Sequence, residues 1–181
     1  MSSARRSRSP PLVSLDDFQE AIRMGFIVDV KRMLKEGIVP DQNSVSIAIQ
    51  NGWPKSFIQL CYKRGASPTT QHLYYAIRYG HIDLVRSLLR MGIVPSEEHL
   101  LVAIKMNYKP IIQLLLKQVT PTERSLLAAI SVENKSLVRY LLQQDIQPTF
   151  THLEVAEMLR NRDLVTILTK YFIPYASPST H

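Results

Sequence analysis

An alanine returns along this chain at a nearly constant interval, and this feature limits the possible folds more than any other. The alanines are 27, 28, 27, 26 and 27 residues apart: Ala21, Ala48, Ala76, Ala103, Ala129 and Ala156. A residue of helix-capping type stands seven positions before each one: Ser14, Asp41, Thr69, Ser96, Thr122 and Thr149. An apolar residue stands three positions before each one: Phe18, Val45, Leu73, Leu100, Leu126 and Leu153. Such internal periodicity indicates small structural units that stack on their neighbours.

The third unit shows how one repeat is expected to fold. Thr69 can accept a hydrogen bond from the free amides at the start of a helix. Small and apolar residues then recur at helical spacing, which predicts a first helix over residues 70–79. Gly80 breaks this helix, since glycine tolerates the backbone of a tight turn. The apolar stripe of a second helix follows: Leu84, Val85, Leu88 and Leu89. Gly92 lies where a left-handed C-cap is expected, and Pro95 prevents continuation.

The same outline recurs in the other units. Prolines keep the rhythm of the alanines: Pro40, Pro68, Pro95, Pro121, Pro148 and Pro174. The second-helix stripe returns in the next two units: Ile111, Ile112, Leu115 and Leu116, then Leu137, Val138, Leu141 and Leu142. Helices of about ten residues are too short to be stable alone in water, so the units must share a continuous core. The sequence therefore predicts an all-α solenoid of six helix-turn-helix repeats over residues 14–173.

The segment from His72 to Gly92 resembles the helical part of an ankyrin repeat. The match is carried by Leu-x-x-Ala at 73–76, Gly-His at 80–81, Leu-Val-x-x-Leu-Leu at 84–89 and the glycine that ends the segment. The units around Gly25…Gly37 and Gly52…Gly65 share this outline, the latter with one inserted residue near Trp53. The resemblance covers about residues 14–173. It implies a protein–protein interaction role without catalytic activity or a cofactor, and it does not name the partner.

The chain departs from the ankyrin pattern in two respects. Its units are about 27 residues long instead of about 33, and no Thr-Pro-Leu-His opening is present. No Asn-Gly or Asp-Gly hairpin signal precedes the first helices, so we expect the β-hairpins of the family to be reduced or absent. Such hairpin-poor arrays resemble ankyrin-type proteins of large DNA viruses. A plain α-solenoid of another type is the structural alternative.

Charge and cysteine content narrow the compartment and the partner. The net charge is +7, and residues 44–120 carry nine Lys or Arg against three acids. Cys61 is the single cysteine, so no internal disulfide can form, as is usual in a reducing compartment. No apolar run reaches the roughly 18 residues of a membrane span, and no signal-peptide core follows the N-terminal arginines. We therefore expect an intracellular protein, located in the cytoplasm or also in the nucleus.

The residues two positions after the alanines form the candidate binding surface. They are Arg23, Gln50, Arg78, Lys105, Ser131 and Met158. The first four are polar and are predicted to form one ridge on a concave face, with nearby aromatic and sulfur-containing side chains: Tyr75, Tyr79, Met106 and Tyr108. Aromatic residues, Met and Arg are enriched at interface hot spots, so these eight residues are predicted to bind a partner protein with an acidic surface. The alternative is a solvated helix face with the tyrosines packed between repeats.

Other chemically distinctive residues receive structural interpretations. His72, His99 and His152 each stand four residues before an alanine, which places them in a row without accompanying cysteines or paired carboxylates. We interpret them as polar residues of the first helical turn, not as a metal site. Cys61 takes a second-helix core position, as a small buried hydrophobe. Trp53 stands at a turn, where it either anchors a partner or covers a repeat junction; we favour the second.

The two ends of the chain differ from the repeats. Residues 1–13 are rich in Ser, Arg and Pro and are predicted to be disordered. Ser7 and Ser9 are candidate phosphorylation sites, or the arginines around them form a basic localisation patch. The tail, 174–181, is expected to be loose, whereas Phe172 and Ile173 are expected to cap the last unit.

Three classes of function can be compared on this basis. A binding module or adaptor is favoured, because the chain has no glycine-rich phosphate loop, nucleophile elbow or metal-binding motif. A basic nucleic-acid-binding accessory protein is the alternative, given a pI of about 9.6. Against it, the basic residues are dispersed over both helices of the units and no groove-reading motif is present. An enzyme is least favoured, and we expect no cofactor, no small-molecule substrate and no membrane partner.

Overall fold

A computed structural model describes residues 13–172, and this part of the chain is entirely α-helical. Its helices alternate between a first helix, which carries the recurring alanine, and a second helix. The first helices are α1 (Leu15–Arg23), α3 (Gln42–Gln50), α5 (Thr70–Arg78), α7 (Glu97–Lys105), α9 (Glu123–Ser131) and α11 (Phe150–Met158). The second helices are α2 (Ile27–Lys35), α4 (Lys55–Lys63), α6 (Ile82–Arg90), α8 (Lys109–Leu115), α10 (Lys135–Leu142) and α12 (Arg162–Thr169). The described residues contain no strand, so the predicted all-α class is confirmed for them.

Side chains at the predicted positions begin the first helices. The Ser14 hydroxyl accepts a hydrogen bond from the Asp17 amide at 3.1 Å, and the Asp17 carboxylate accepts one from the Ser14 amide at 3.0 Å. Asp41 accepts from the Ser44 amide at 2.7 Å, and Thr69 accepts from the amide three residues later at 3.2 Å. Each bond satisfies an amide that has no partner inside its helix, which explains why short helices begin at these residues.

The turn after each first helix contains a residue with positive φ, four positions beyond the alanine. Three units use glycine there, with φ between +71° and +74°: Gly25, Gly52 and Gly80. The other three place a larger residue in the same left-handed conformation, with φ between +52° and +54°: Asn107, Glu133 and Arg160. The predicted roles of Gly80 as helix breaker and of Gly92 as left-handed C-cap are confirmed, the latter with φ +87°. The larger residues carry strain that glycine would avoid.

Within residues 13–172 the chain forms two compact units, the first ending at His72 and the second beginning at Leu73. In the described part of the first compact unit, α1 packs against α2 and α3, and α3 packs against α4. In the second compact unit, α7 packs against α9 and α9 against α11. Each of these three helices also contacts the helix that follows it, and α6 contacts α8. All six alanines are at most 5% exposed. Their small side chains allow the close approach between helices that this packing requires.

The last helix pair ends in an aromatic contact. Phe172 lies against Phe150 at the start of α11, with ring centroids 4.8 Å apart and the rings edge to face. This is the kind of covering contact expected of Phe172. Ile173, the N-terminal arm up to residue 12 and the tail 174–181 lie outside the described residues.

Candidate partner-binding surface

Each residue two positions after an alanine is the last residue of its first helix, and each is exposed: Arg23, Gln50, Arg78, Lys105, Ser131 and Met158. The buried alanine fixes the helix face that points into the core, so a residue two positions later points outward. Arg23 forms an exposed ion pair with Glu20 one turn earlier. Arg78 and Lys105 form no ion pair with any residue in 13–172, and their charges therefore face solvent. The first two of the six belong to the first compact unit and the other four to the second.

The neighbouring aromatic and sulfur-containing residues differ in their exposure. Tyr79 and Met106 are 44% and 43% exposed, and Tyr75 is half-buried. Tyr108 is half-buried as well, and its ring lies so close to Gly80 that a Cβ at that glycine would come within 3.1 Å of it. The structure thus places Tyr108 beside the turn that carries Tyr79. Tyr108 packs in this position, whereas Tyr79 and Met106 offer accessible apolar surface.

The three histidines of the first turn have a role that sequence reasoning identified only in part. They lie in the first helical turn as predicted, but they are buried, with exposures of 0% for His72, 7% for His99 and 3% for His152. Each stands three residues after its capping residue, and its Nδ1 accepts a hydrogen bond from the backbone amide of that residue at 3.0–3.3 Å. This is the geometry of a capping box, with histidine in the position usually taken by Glu or Gln. The spacing of three residues was the signal that could have revealed it.

The second ring nitrogen connects consecutive helix pairs. Nε2 of His72 lies 2.9 Å from the carbonyl oxygen of Gln42, and Nε2 of His152 lies 3.1 Å from that of Glu123. Because Nδ1 accepts from an amide, Nε2 must carry the proton and donate to the carbonyl. Each of these two histidines therefore joins its own helix cap to the preceding first helix.

Burial changes the ionisation of this region in the first compact unit. It lowers the pKa of His72 below the ordinary value, and the hydrogen bond to Gln42 opposes this only in part. The Tyr62 hydroxyl lies 3.2 Å from Nδ1 of His72, and burial raises the pKa of Tyr62. Burial also raises the pKa of the Cys61 thiol to about 12, and its side chain is fully buried. This burial confirms the interpretation of Cys61 as a buried hydrophobe. A thiol whose pKa is raised in this way is also a poor nucleophile.

Trp53 covers a junction between helix pairs. Its indole Nε1 donates a hydrogen bond to the carbonyl oxygen of Ile22 at 2.9 Å, across 31 residues of sequence. Its ring packs on Phe57 with centroids 4.4 Å apart. The half-buried indole therefore makes these contacts within the first compact unit, in agreement with the interpretation that Trp53 covers a repeat junction.

The remaining sequence predictions concern metals, membranes and modification. Within residues 13–172 no three His, Cys, Asp or Glu side chains come together as a metal site would require. In the same range no helix combines the length and the apolar character needed to cross a bilayer. The candidate phosphorylation sites Ser7 and Ser9 lie outside the described residues.

A comparison of the chain with models of known protein families gives no match, and a search of curated proteins gives none either.

Proposed function

We propose that this chain is a non-catalytic protein–protein interaction module, built as an α-solenoid of six ankyrin-like helix pairs, that binds a partner protein through the ends of its first helices. One observation carries the proposal: each first helix has a buried alanine followed two residues later by an exposed terminal residue. A periodic core with a periodic exposed surface is what repeat proteins use to bind partners.

The contacts inside each compact unit support the solenoid. First helices pack on the next first helix in both units, from α1 to α3 and from α7 through α9 to α11. The hydrogen bonds from His72 to Gln42 and from His152 to Glu123 cross 30 and 29 residues, each slightly more than one repeat of about 27 residues. The connections between pairs in residues 13–172 contain no strand, in accordance with an ankyrin-like array that has lost its hairpins.

An acidic protein surface is the proposed ligand of the first-helix ends. Arg78 and Lys105 carry charges without acidic partners in the described chain, and Tyr79 and Met106 expose apolar surface nearby in sequence. Charges at an interface steer association and select the partner, while aromatic and methionine side chains supply contact area. We place this function inside the cell, because the single thiol is buried and has no second cysteine to pair with.

The experiment is a charge reversal at two of these positions. We expect the R78E/K105E double variant to lose most of the partner captured by the wild-type protein in affinity purification from the source cell. The matched control is K35E/K63E, which makes the same change in net charge at the exposed last residues of α2 and α4. Both variants should melt at similar temperatures, within about 8 °C of the wild type, since each replaces a cation by an acid at two helix C-termini, where one cation contributes about 0.3–1 kcal/mol. Wild-type capture by R78E/K105E would show that the binding surface is elsewhere.

Nucleic acid is tested with the same proteins. Binding to random duplex DNA that weakens steeply with salt, and that both double variants reduce equally, would favour the basic accessory protein instead.

A further inference from the structure

A groove of about 610 Å³ opens on the second-helix side of the second compact unit. Its lining comes from α6, from α8 with the turn that follows it, and from α10. Ile112 and Leu137 are almost fully buried and form its floor. Leu114 and Leu116 are half-buried, and Tyr140 is 40% exposed beside them. The groove therefore presents a mainly aliphatic surface with one accessible aromatic ring.

The groove lies beside α8, the shortest of the second helices. This helix has seven residues, whereas the other second helices have eight or nine, and Pro110 stands in its first turn. Because the helix ends at Leu115, Leu116 and Lys117 belong to the following turn. Their side chains line the groove from an irregular segment instead of continuing a helical face.

The charge of the groove is of one sign. Arg86, Lys109 and Lys117 lie along it, and within residues 13–172 no acidic residue lines it. None of the three cations forms an ion pair within residues 13–172. Three unpaired cations around an apolar floor are complementary to a ligand that combines carboxylates with apolar groups.

Two neutral polar residues of the groove, Asn134 and Ser136, are already engaged in hydrogen bonds. Asn134 donates to Asn107 at 3.0 Å, and its oxygen accepts from the Leu137 amide at 3.1 Å and from the Ser136 hydroxyl at 2.9 Å. These side chains hold the start of α10, and their mutual bonds leave the cations and the apolar floor to contact a ligand.

We propose that this groove is a second docking site, and that it binds an acidic protein segment in which leucine or phenylalanine side chains alternate with carboxylates. The apolar side chains enter between Leu114 and Tyr140, and the carboxylates meet Lys109, Lys117 and Arg86. A protein segment fits better than a nucleic acid, because single-stranded nucleic acid is held by rows of aromatic rings and this groove has one. None of the groove's described lining residues is among the eight residues of the proposed first-helix surface.

The probe is a fluorescein-labelled peptide of about twelve residues in which Glu alternates with Leu and Phe, titrated against the full chain by fluorescence anisotropy. We expect saturable binding that weakens about tenfold, equivalent to about 1.4 kcal/mol, when Gln replaces Glu in the peptide. The K109E/K117E variant should weaken binding of the acidic peptide by at least about tenfold, because two attractions become repulsions. A second variant, Leu114→Ser, should weaken both peptides, since it removes apolar contact.

The K35E/K63E protein is the control for charge, and thermal melting checks that every variant folds. Equal binding by K109E/K117E and K35E/K63E would overturn the proposal, as would the absence of saturable binding of the acidic peptide. Tighter binding of a single-stranded oligonucleotide than of the peptide would assign the groove to nucleic acid instead. These results are independent of partner capture by R78E/K105E, so the groove and the first-helix surface can fail separately.

Discussion

Replacing His152 by phenylalanine removes three hydrogen bonds while it keeps a ring in the buried space. In the native protein Nδ1 of this 3%-exposed side chain accepts from the Thr149 amide at 3.0 Å and from the Thr149 hydroxyl at 2.7 Å. Nε2 donates to the Glu123 carbonyl at 3.1 Å. Each bond contributes about 1 kcal/mol net, and a partner left buried without a bond costs more. We expect His152→Phe to lower the free energy of unfolding by about 2–4 kcal/mol.

The substitution His152→Asn separates the bonds to Thr149 from the bond to Glu123. An asparagine oxygen can still accept from the Thr149 amide as in a capping box, whereas the bond to Glu123 is lost. This variant should lose about half as much stability as His152→Phe. The measurement is urea unfolding followed by circular dichroism, supported by melting temperatures. At about 2–4 °C per kcal/mol, the melting temperature should fall by roughly 4–16 °C for the phenylalanine variant.

The control for this series is Tyr140→Phe. Tyr140 is 40% exposed on α10, and its hydroxyl forms no hydrogen bond within residues 13–172. We expect this variant to lose about 1 kcal/mol or less, in the range of ordinary substitutions. If His152→Phe and Tyr140→Phe were equally destabilising, or if His152→Asn were as harmful as His152→Phe, the dual role of His152 in capping and in linking helix pairs would be refuted.

Further predictions each concern one residue. Arg160 has a φ of +54°, so Arg160→Gly should raise the free energy of unfolding measured with urea by about 0.5–1 kcal/mol. Gly80 also has a positive φ, so Gly80→Ala should lower that free energy by about 1–2 kcal/mol. The pKa of His72 is lowered in the folded protein, so below about pH 6.5 the unfolded chain binds a proton that the native chain does not. The free energy of unfolding of the wild type should therefore fall by up to about 1.4 kcal/mol per pH unit below this pH. The difference in stability between the wild type and His72→Asn should narrow between pH 7.5 and 5, and parallel curves of stability against pH for the two proteins would contradict this. Cys61 should resist a thiol reagent in the native state and react after denaturation; fast native labelling would contradict its burial.

The local elements could be predicted from the sequence because local chemistry determines them. A capping residue followed by small and apolar residues at helical spacing fixes where a short helix begins and which face it buries. The predicted first helix at 70–79 is observed at Thr70–Arg78, and Thr122 and Thr149 begin α9 and α11 as expected. Ala103 is fully buried for the same reason.

Other features depend on distances between helices and left a weaker signal. The N3 position of His152 can be read from the sequence, but its bond to Glu123 requires knowing how closely two first helices approach. Asn tolerates a left-handed conformation better than most residues, so Asn107 could have been suspected, whereas Glu133 and Arg160 gave no such indication. The groove is lined in part by the turn after the short α8, and helix ends are the least certain part of a sequence-based assignment.

The variation between units within the chain separates what the fold needs from what it leaves open. At the alanine position all six units have the same residue, because a larger side chain would force the packed helices apart. At the last residue of the first helix the units differ, and α9 ends in Ser131 while α11 ends in Met158. A cation at a helix C-terminus contributes only about 0.3–1 kcal/mol, and these two helices form without one. Folding therefore does not require the cations Arg78 and Lys105 in the third and fourth repeats. Packing does not explain their presence, whereas binding of an acidic partner would.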